Sequence, residues 1–120
     1  MLKRKTPLKR TRKPARRIAT MDTEYILRVK QLPCAASVIP GHICSGAIEA
    51  HHAGERPGVS MKAADSTCVP LCSLAHAQWH GATGWCKGWD RASRRWWADV
   101  AIAQTQAALE VDAAMAEVLL

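Results

Sequence analysis

Apolar residues fall at helical spacing early in the chain. Tyr25, Ile26, Val29 and Leu32 share one face after an Asp22-Thr23-Glu24 opening, and Pro33 closes the segment. Residues 33–46 are rich in Pro, Gly, Ser and Cys and form a loop. Ala47 to His52 predicts a short first strand, and residues 54–64 a loop marked by Gly54, Pro57 and Gly58. Thr67 to Leu71 predicts a second strand, with Pro70 tolerable only at its edge or end. A helix from about Cys72 to His80 follows, and Gly81 and Gly84 break the chain after it. A long helix runs from about Asp90 to Leu119, basic and aromatic in its first half and alanine-rich in its second. The expected class is α+β: a small strand–loop–strand–helix core at about 45–82, flanked by helices, with no internal repeat.

Composition narrows this picture. A chain of 120 residues makes one small domain, with a modest core that a metal can help to stabilise. There is no Phe, so Trp79, Trp85, Trp89, Trp96 and Trp97 are expected to supply the core and its lid. Charge is very unevenly placed. Nine of the 17 Lys and Arg lie in residues 1–17, which leaves eight against ten acidic residues in the rest. The arm of residues 1–20 repels itself and has little to bury, so disorder is expected when it is free. Lys3, Arg4, Lys5, Lys9, Arg10, Arg12, Lys13, Arg16 and Arg17 suit an electrostatic grip on DNA phosphates. Residues 21–120 form the expected domain. The basic residues precede no apolar core of a secretory signal, and no run of about eighteen apolar residues exists to span a membrane. A cytoplasmic protein is expected.

The densest chemistry lies in His51-His52 and in the segment Cys72 to His80. His76 and His80 are four apart, so both leave one helical face and can converge on a cation. His51 and His52 are neighbours on a strand and point to opposite faces, so one can bind the ion while the other faces a substrate. The lone His42 is expected to be structural. Five cysteines, an odd number without an export signal, argue against a disulfide framework. Cys34, Cys44 and Cys72 can supply thiolates to a second, structural zinc, although burial as small apolar side chains is the simpler reading. Phosphodiester hydrolysis needs an activated water, charge relief at phosphorus and help for the departing oxygen. A neutral imidazole supplies the first, and an open divalent site, with positions for a phosphate oxygen and the leaving oxygen, the other two. Lys62, Arg56 and the Arg94-Arg95 pair are candidates for flanking phosphates, with a solvated face the simpler reading for Arg94 and Arg95.

Strand, loop, strand and a helix bearing His-x3-His is the layout of a ββα-metal finger, and here the chain resembles the HNH endonuclease superfamily. The likeness is to phage-type members of the recombination-enhancement kind. It rests on Leu32-Pro33-Cys34, Glu49 through Gly54, Lys62 through Thr67, Val69-Pro70-Leu71-Cys72, His76, His80 and Trp96-Trp97. Thr6-Pro7-Leu8-Lys9-Arg10 adds to it, and about residues 30–100 are covered.

The resemblance implies His52 as general base and His51, His76 and His80 as ligands of one divalent ion: zinc, magnesium or manganese. The place of the family's middle Asn is held by Thr67, with Asp65 two residues earlier, so either can orient His52. Relatives often carry His or Cys where this chain has Ala75. DNA is the implied substrate and a recombinase filament an implied partner. The competing readings are a recombination accessory and a non-catalytic, zinc-stabilised nucleic-acid-binding module, whose closed tetrahedral site would take His51, His52, His76 and His80, or three of them plus Cys72. A zinc deaminase would need His-x-Glu and Pro-Cys-x-x-Cys, which this sequence lacks.

Overall fold

Two five-residue strands form the centre of the structure, a computed structural model that describes residues 23–55 and 63–119. β1 (Ile48–His52) runs antiparallel to β2 (Cys68–Cys72), in a register that sets Ala50 opposite Pro70 and His51 opposite Val69. The ladder continues past both ends, where the Ala53 N–H donates to Thr67 O and the Ser73 N–H to Ala47 O. That phase makes Ala50 and Pro70 a pair without ladder bonds. Pro70 therefore stands in mid-strand with its missing donor turned away from β1, on the open edge of a two-stranded sheet. β2 begins one residue later than the sequence predicts. Thr67 belongs instead to a 3-10 turn over Asp65–Thr67, closed by the Thr67 N–H on Ala64 O at 2.9 Å.

α1 (Thr23–Val29) is shorter than its periodicity predicts. After Val29 the bonds tighten to i→i+3, Gln31 to Arg28 and Leu32 to Val29, because the residue before Pro33 is barred from helical backbone. α2 (Ser73–Gly81) starts at the Cys72 cap and ends on Ala82 in the left-handed region at φ 55°. α3 (Arg91–Leu119) is capped by Asp90, whose Oδ1 accepts the Ser93 N–H at 2.8 Å. Short 3-10 turns also cover Ala35–Val38 and Gly84–Cys86.

The ribbon is packed on both sides. Val69 and Leu71 are fully buried in a cluster with Ala75, Trp79, Trp97 and Ala101, so that face meets α2 and the first half of α3. Ala50 and Cys68 on the opposite face meet Val29 of α1 and Leu109 of α3. Each fully buried Val or Leu contributes about 1.5–3 kcal/mol by leaving water. The α3 positions Trp97, Ala101, Thr105 and Leu109 recur every four residues and are buried, whereas residues 110–118 are exposed.

Four tryptophans pack together, with ring centroids 4.9 Å apart for Trp85–Trp97 and 5.0 Å for Trp79–Trp97. Trp89 joins through an edge contact with Trp85. Trp96 departs from the expectation and is 67% exposed, since one residue along a helix turns the side chain about 100° away from the buried Trp97 face. The class is thus α+β, with two strands and three helices among the described residues. No helix among them is long and apolar enough to cross a membrane. The basic arm, Arg56 and Lys62 lie outside the described residues.

Candidate metal centre

Strand alternation separates the two adjacent histidines. His51 leaves the β1 face that packs on α2, and is buried with 6% exposure. There it meets His76 and His80, one turn apart on α2. Ring centroids are 5.0 Å apart for His51–His76, 5.4 Å for His51–His80 and 4.8 Å for His76–His80. One ligand nitrogen from each ring lies within 4.8 Å of the others, so the three can hold a metal ion.

A hydrogen bond sets the tautomer of His76. His76 Nδ1 is 2.7 Å from Glu49 Oε1. An ionised carboxylate only accepts, so the proton is on Nδ1 and Nε2 carries the lone pair. Glu49 reaches that ring because it lies two residues before His51, on the same strand face. Such a carboxylate–histidine pair is the arrangement that commonly orients an imidazole for metal binding. Accepting from His76 holds the Glu49 carboxyl below its ordinary value. His76 Nε2 and His80 Nε2 are 3.1 Å apart. Two nitrogens bound at about 2.0–2.1 Å to one tetrahedral ion lie roughly 3.3 Å apart, so the pair is already at ligand spacing.

His51 Nε2 is buried and has no hydrogen-bond partner. Such an atom is costly unless something takes its lone pair, and a cation would do so. Burial, then the neighbouring His76 and His80 and more weakly His52 and Arg94, pulls His51 down to about 3. Burial and His76 lower His80 in the same direction. Both therefore favour the neutral form that binds metal.

His52 leaves the opposite face. Its Nε2 is 2.8 Å from Oδ1 of Asp65, and both side chains are largely sheltered. With the carboxylate as acceptor, the ring proton sits on Nε2 and Nδ1 keeps the free lone pair. Asp65 is held in place through its neighbour: Ser66 O accepts from the Tyr25 hydroxyl at 3.1 Å and from Gln106 Nε2 at 2.8 Å. Of the two residues that the sequence left open for orienting His52, Asp65 is the one that touches it. Thr67 Oγ1 instead donates to Ala64 O at 2.6 Å, closing its own turn. Cys68, fully buried beneath this pair, brings a third potential ligand atom to the His52–Asp65 group.

Cys34, Cys44 and Cys72 also come together, joined by His42, with one ligand atom each inside 4.8 Å. This corrects the solitary role expected for His42, whose Nε2 is 3.7 Å from Cys72 Sγ. Burial resists ionisation of Cys72. The Ala75 and Ser45 N–H groups, with His42 and Cys34, outweigh it and bring the thiol down to about 6. All five cysteines are free thiols.

The sequence reading missed His42 and Glu49. For His42 the available signal was the His42-x-Cys44 pair, and for Glu49 its two-residue spacing from His51. Arg94 is not on a solvated face: its guanidinium carbon lies 3.9 Å above the Trp79 ring, and it donates to Trp79 O at 2.8 Å. Arg95 donates to Asp99 and to Ala53 O. Comparison of the chain with family models, with curated proteins and with solved structures gives no match.

Proposed function

We propose that the chain is a metal-dependent endonuclease of the HNH type, built on a ββα-metal core and hydrolysing DNA phosphodiester bonds. The observation that carries this reading is the division of labour across β1. His51, whose buried Nε2 has no hydrogen-bond partner, brings one ring nitrogen within 4.8 Å of those of His76 and His80, while His52 is oriented by Asp65 on the other face. The first group has the donor set of an open three-histidine site; the second has the form of a general base with its positioning carboxylate.

A divalent ion held by His51, His76 and His80 would supply Lewis-acid relief of the charge that builds on a phosphate oxygen. The chain's own residues do the rest. His52 Nδ1 takes a proton from water as the water oxygen attacks phosphorus and the bond to the 3′-oxygen breaks. The departing 3′-oxygen takes a proton from solvent, so the products are a 5′-phosphate and a 3′-hydroxyl. Asp65 keeps the His52 ring in the tautomer that leaves Nδ1 free, and its negative charge stabilises the imidazolium that forms. Glu49 does the corresponding work for His76. In this reading the basic arm and Lys62 hold flanking phosphates.

The arrangement disfavours a closed, purely structural zinc at the imidazoles. Such a site needs a fourth protein ligand, and the candidates are engaged elsewhere: His52 with Asp65, and Cys72 Sγ with His42 and the Ser45 and Ala75 N–H groups.

Supercoiled plasmid incubated with the purified chain and Mg²⁺, Mn²⁺ or Zn²⁺ tests the proposal. Conversion to nicked circles, abolished by a chelator, is expected in at least one metal. Binding without nicking in every metal would sink the enzyme reading. Nicking that begins only when a recombinase filament is added would make the chain a filament-dependent nuclease, probed further as a processor of recombining phage DNA in a bacterial cytoplasm.

A further inference from the structure

We infer that Cys34, His42, Cys44 and Cys72 form a second metal site, a closed Cys3His zinc centre that braces the helix carrying His76 and His80. The four residues come from three separate places: the turn after Pro33, the loop before β1, and the last position of β2. Nothing in local sequence brings them together, yet their donor atoms lie within 4.8 Å of one another. Three soft sulfurs and one imidazole are a common tetrahedral zinc set. The 3.7 Å between Cys72 Sγ and His42 Nε2 suits it, since ligands at about 2.3 Å (sulfur) and 2.0–2.1 Å (nitrogen) from one tetrahedral ion stand roughly 3.5 Å apart.

Backbone amides point at two of the three sulfurs. Cys72 Sγ accepts the Ser45 N–H at 3.5 Å and the Ala75 N–H at 3.4 Å, and Cys34 Sγ accepts the Cys72 N–H at 3.3 Å. Amide donors aimed at sulfur form the outer shell that orients metal ligands. Cys72 also stands at the N-terminus of α2, where the helix dipole favours negative charge.

Two simpler explanations fit less well. Apolar packing accounts for buried Cys34 and Cys72, but not for exposed Cys44 and polar His42 turned toward the same point. A disulfide would use two of the three sulfurs and leave the third and the imidazole unexplained.

The placement gives the site its purpose. Residues 33–46 hold only one short 3-10 turn, so the loop has little of its own to fix it. It nevertheless wraps the start of α2: the Leu74 N–H donates to Ser45 O, and the Ser73 hydroxyl to Ala47 O. Gly46, at φ +88°, packs so tightly on Ser73 that a Cβ there would stand 2.6 Å from Ser73 Oγ. Zinc at this point would lock the loop to α2 just before the turn that presents His76. With four protein ligands it leaves no position for substrate, so its role is to hold the fold.

The test does not depend on the nuclease reading. Zinc content is measured on the full chain carrying His51→Ala, His76→Ala and His80→Ala together, which removes the imidazole site. One tightly held zinc per chain is expected to remain. Cobalt substituted into the unmutated chain should give an intense thiolate-to-cobalt absorption band. Cys44→Ser, altering the exposed ligand, should weaken zinc binding by more than the roughly 10–100-fold typical of losing an outer-shell partner. A folded triple variant without zinc would overturn the inference. So would a cobalt spectrum without the thiolate band, or fewer than five free thiols in the unfolded, unreduced chain.

Discussion

His52 Nε2 donates to Asp65 Oδ1 across 2.8 Å, and this pairing leaves the other ring nitrogen as the only basic one. Asp65→Asn keeps the shape but offers an amide that can turn its N–H toward the ring and favour the wrong tautomer. Nicking should fall by a substantial part of the ~10²–10⁴-fold that a general base contributes, with metal content unchanged. Wild-type turnover in Asp65→Asn would show that His52 is oriented some other way.

Glu49 stands behind His76 as Asp65 stands behind His52. Glu49→Ala should weaken metal binding at the imidazoles about 10–100-fold, measured by competition with a chromophoric chelator. At saturating metal most of the nicking activity should return. Unchanged affinity would mean that His76 needs no carboxylate to set its ring.

Leu71 is fully buried on the ribbon face that packs against α2. Leu71→Ala should lower the free energy of unfolding by roughly 2–5 kcal/mol in urea titration with metal held constant. A change below about 1 kcal/mol would show that the neighbouring side chains collapse into the space.

Asp90 caps α3, and the Ser93 N–H, then its hydroxyl, hold the carboxyl below its ordinary 3.8 despite some desolvation. A folded value below the unfolded one means the cap's ionised contribution is complete above 3.8 and fades as pH falls through the folded value. The melting-temperature gap between wild type and Asp90→Ala should stay constant from neutral pH down to that point, then narrow. A gap unchanged into stronger acid would show that the charge is irrelevant to the cap.

Much of this architecture could be read from local pattern. His76 and His80 share a face because helices repeat near four residues, and His51 and His52 part because strands repeat every two. Pro33, Cys72 and Asp90 mark element ends by their backbone and capping chemistry, which acts over a few residues. What stayed hidden depends on chain segments meeting at a distance. His42 is 30 residues from Cys72, and only the path of the 33–46 loop brings them together. Asp65 rather than Thr67 meets His52 because a 3-10 turn rotates Thr67 back onto Ala64, a choice of turn that the residue types alone did not dictate. The exposure of Trp96 follows from helix phase, which the Trp96-Trp97 pair left ambiguous by one position.

The most direct test measures metal content and plasmid nicking on the same preparation of His52→Ala. A full complement of bound metal at the three imidazoles is expected, with nicking reduced about 10²–10⁴-fold. Metal lost together with activity would make His52 a ligand and close the site. Undiminished nicking would remove it from the chemistry.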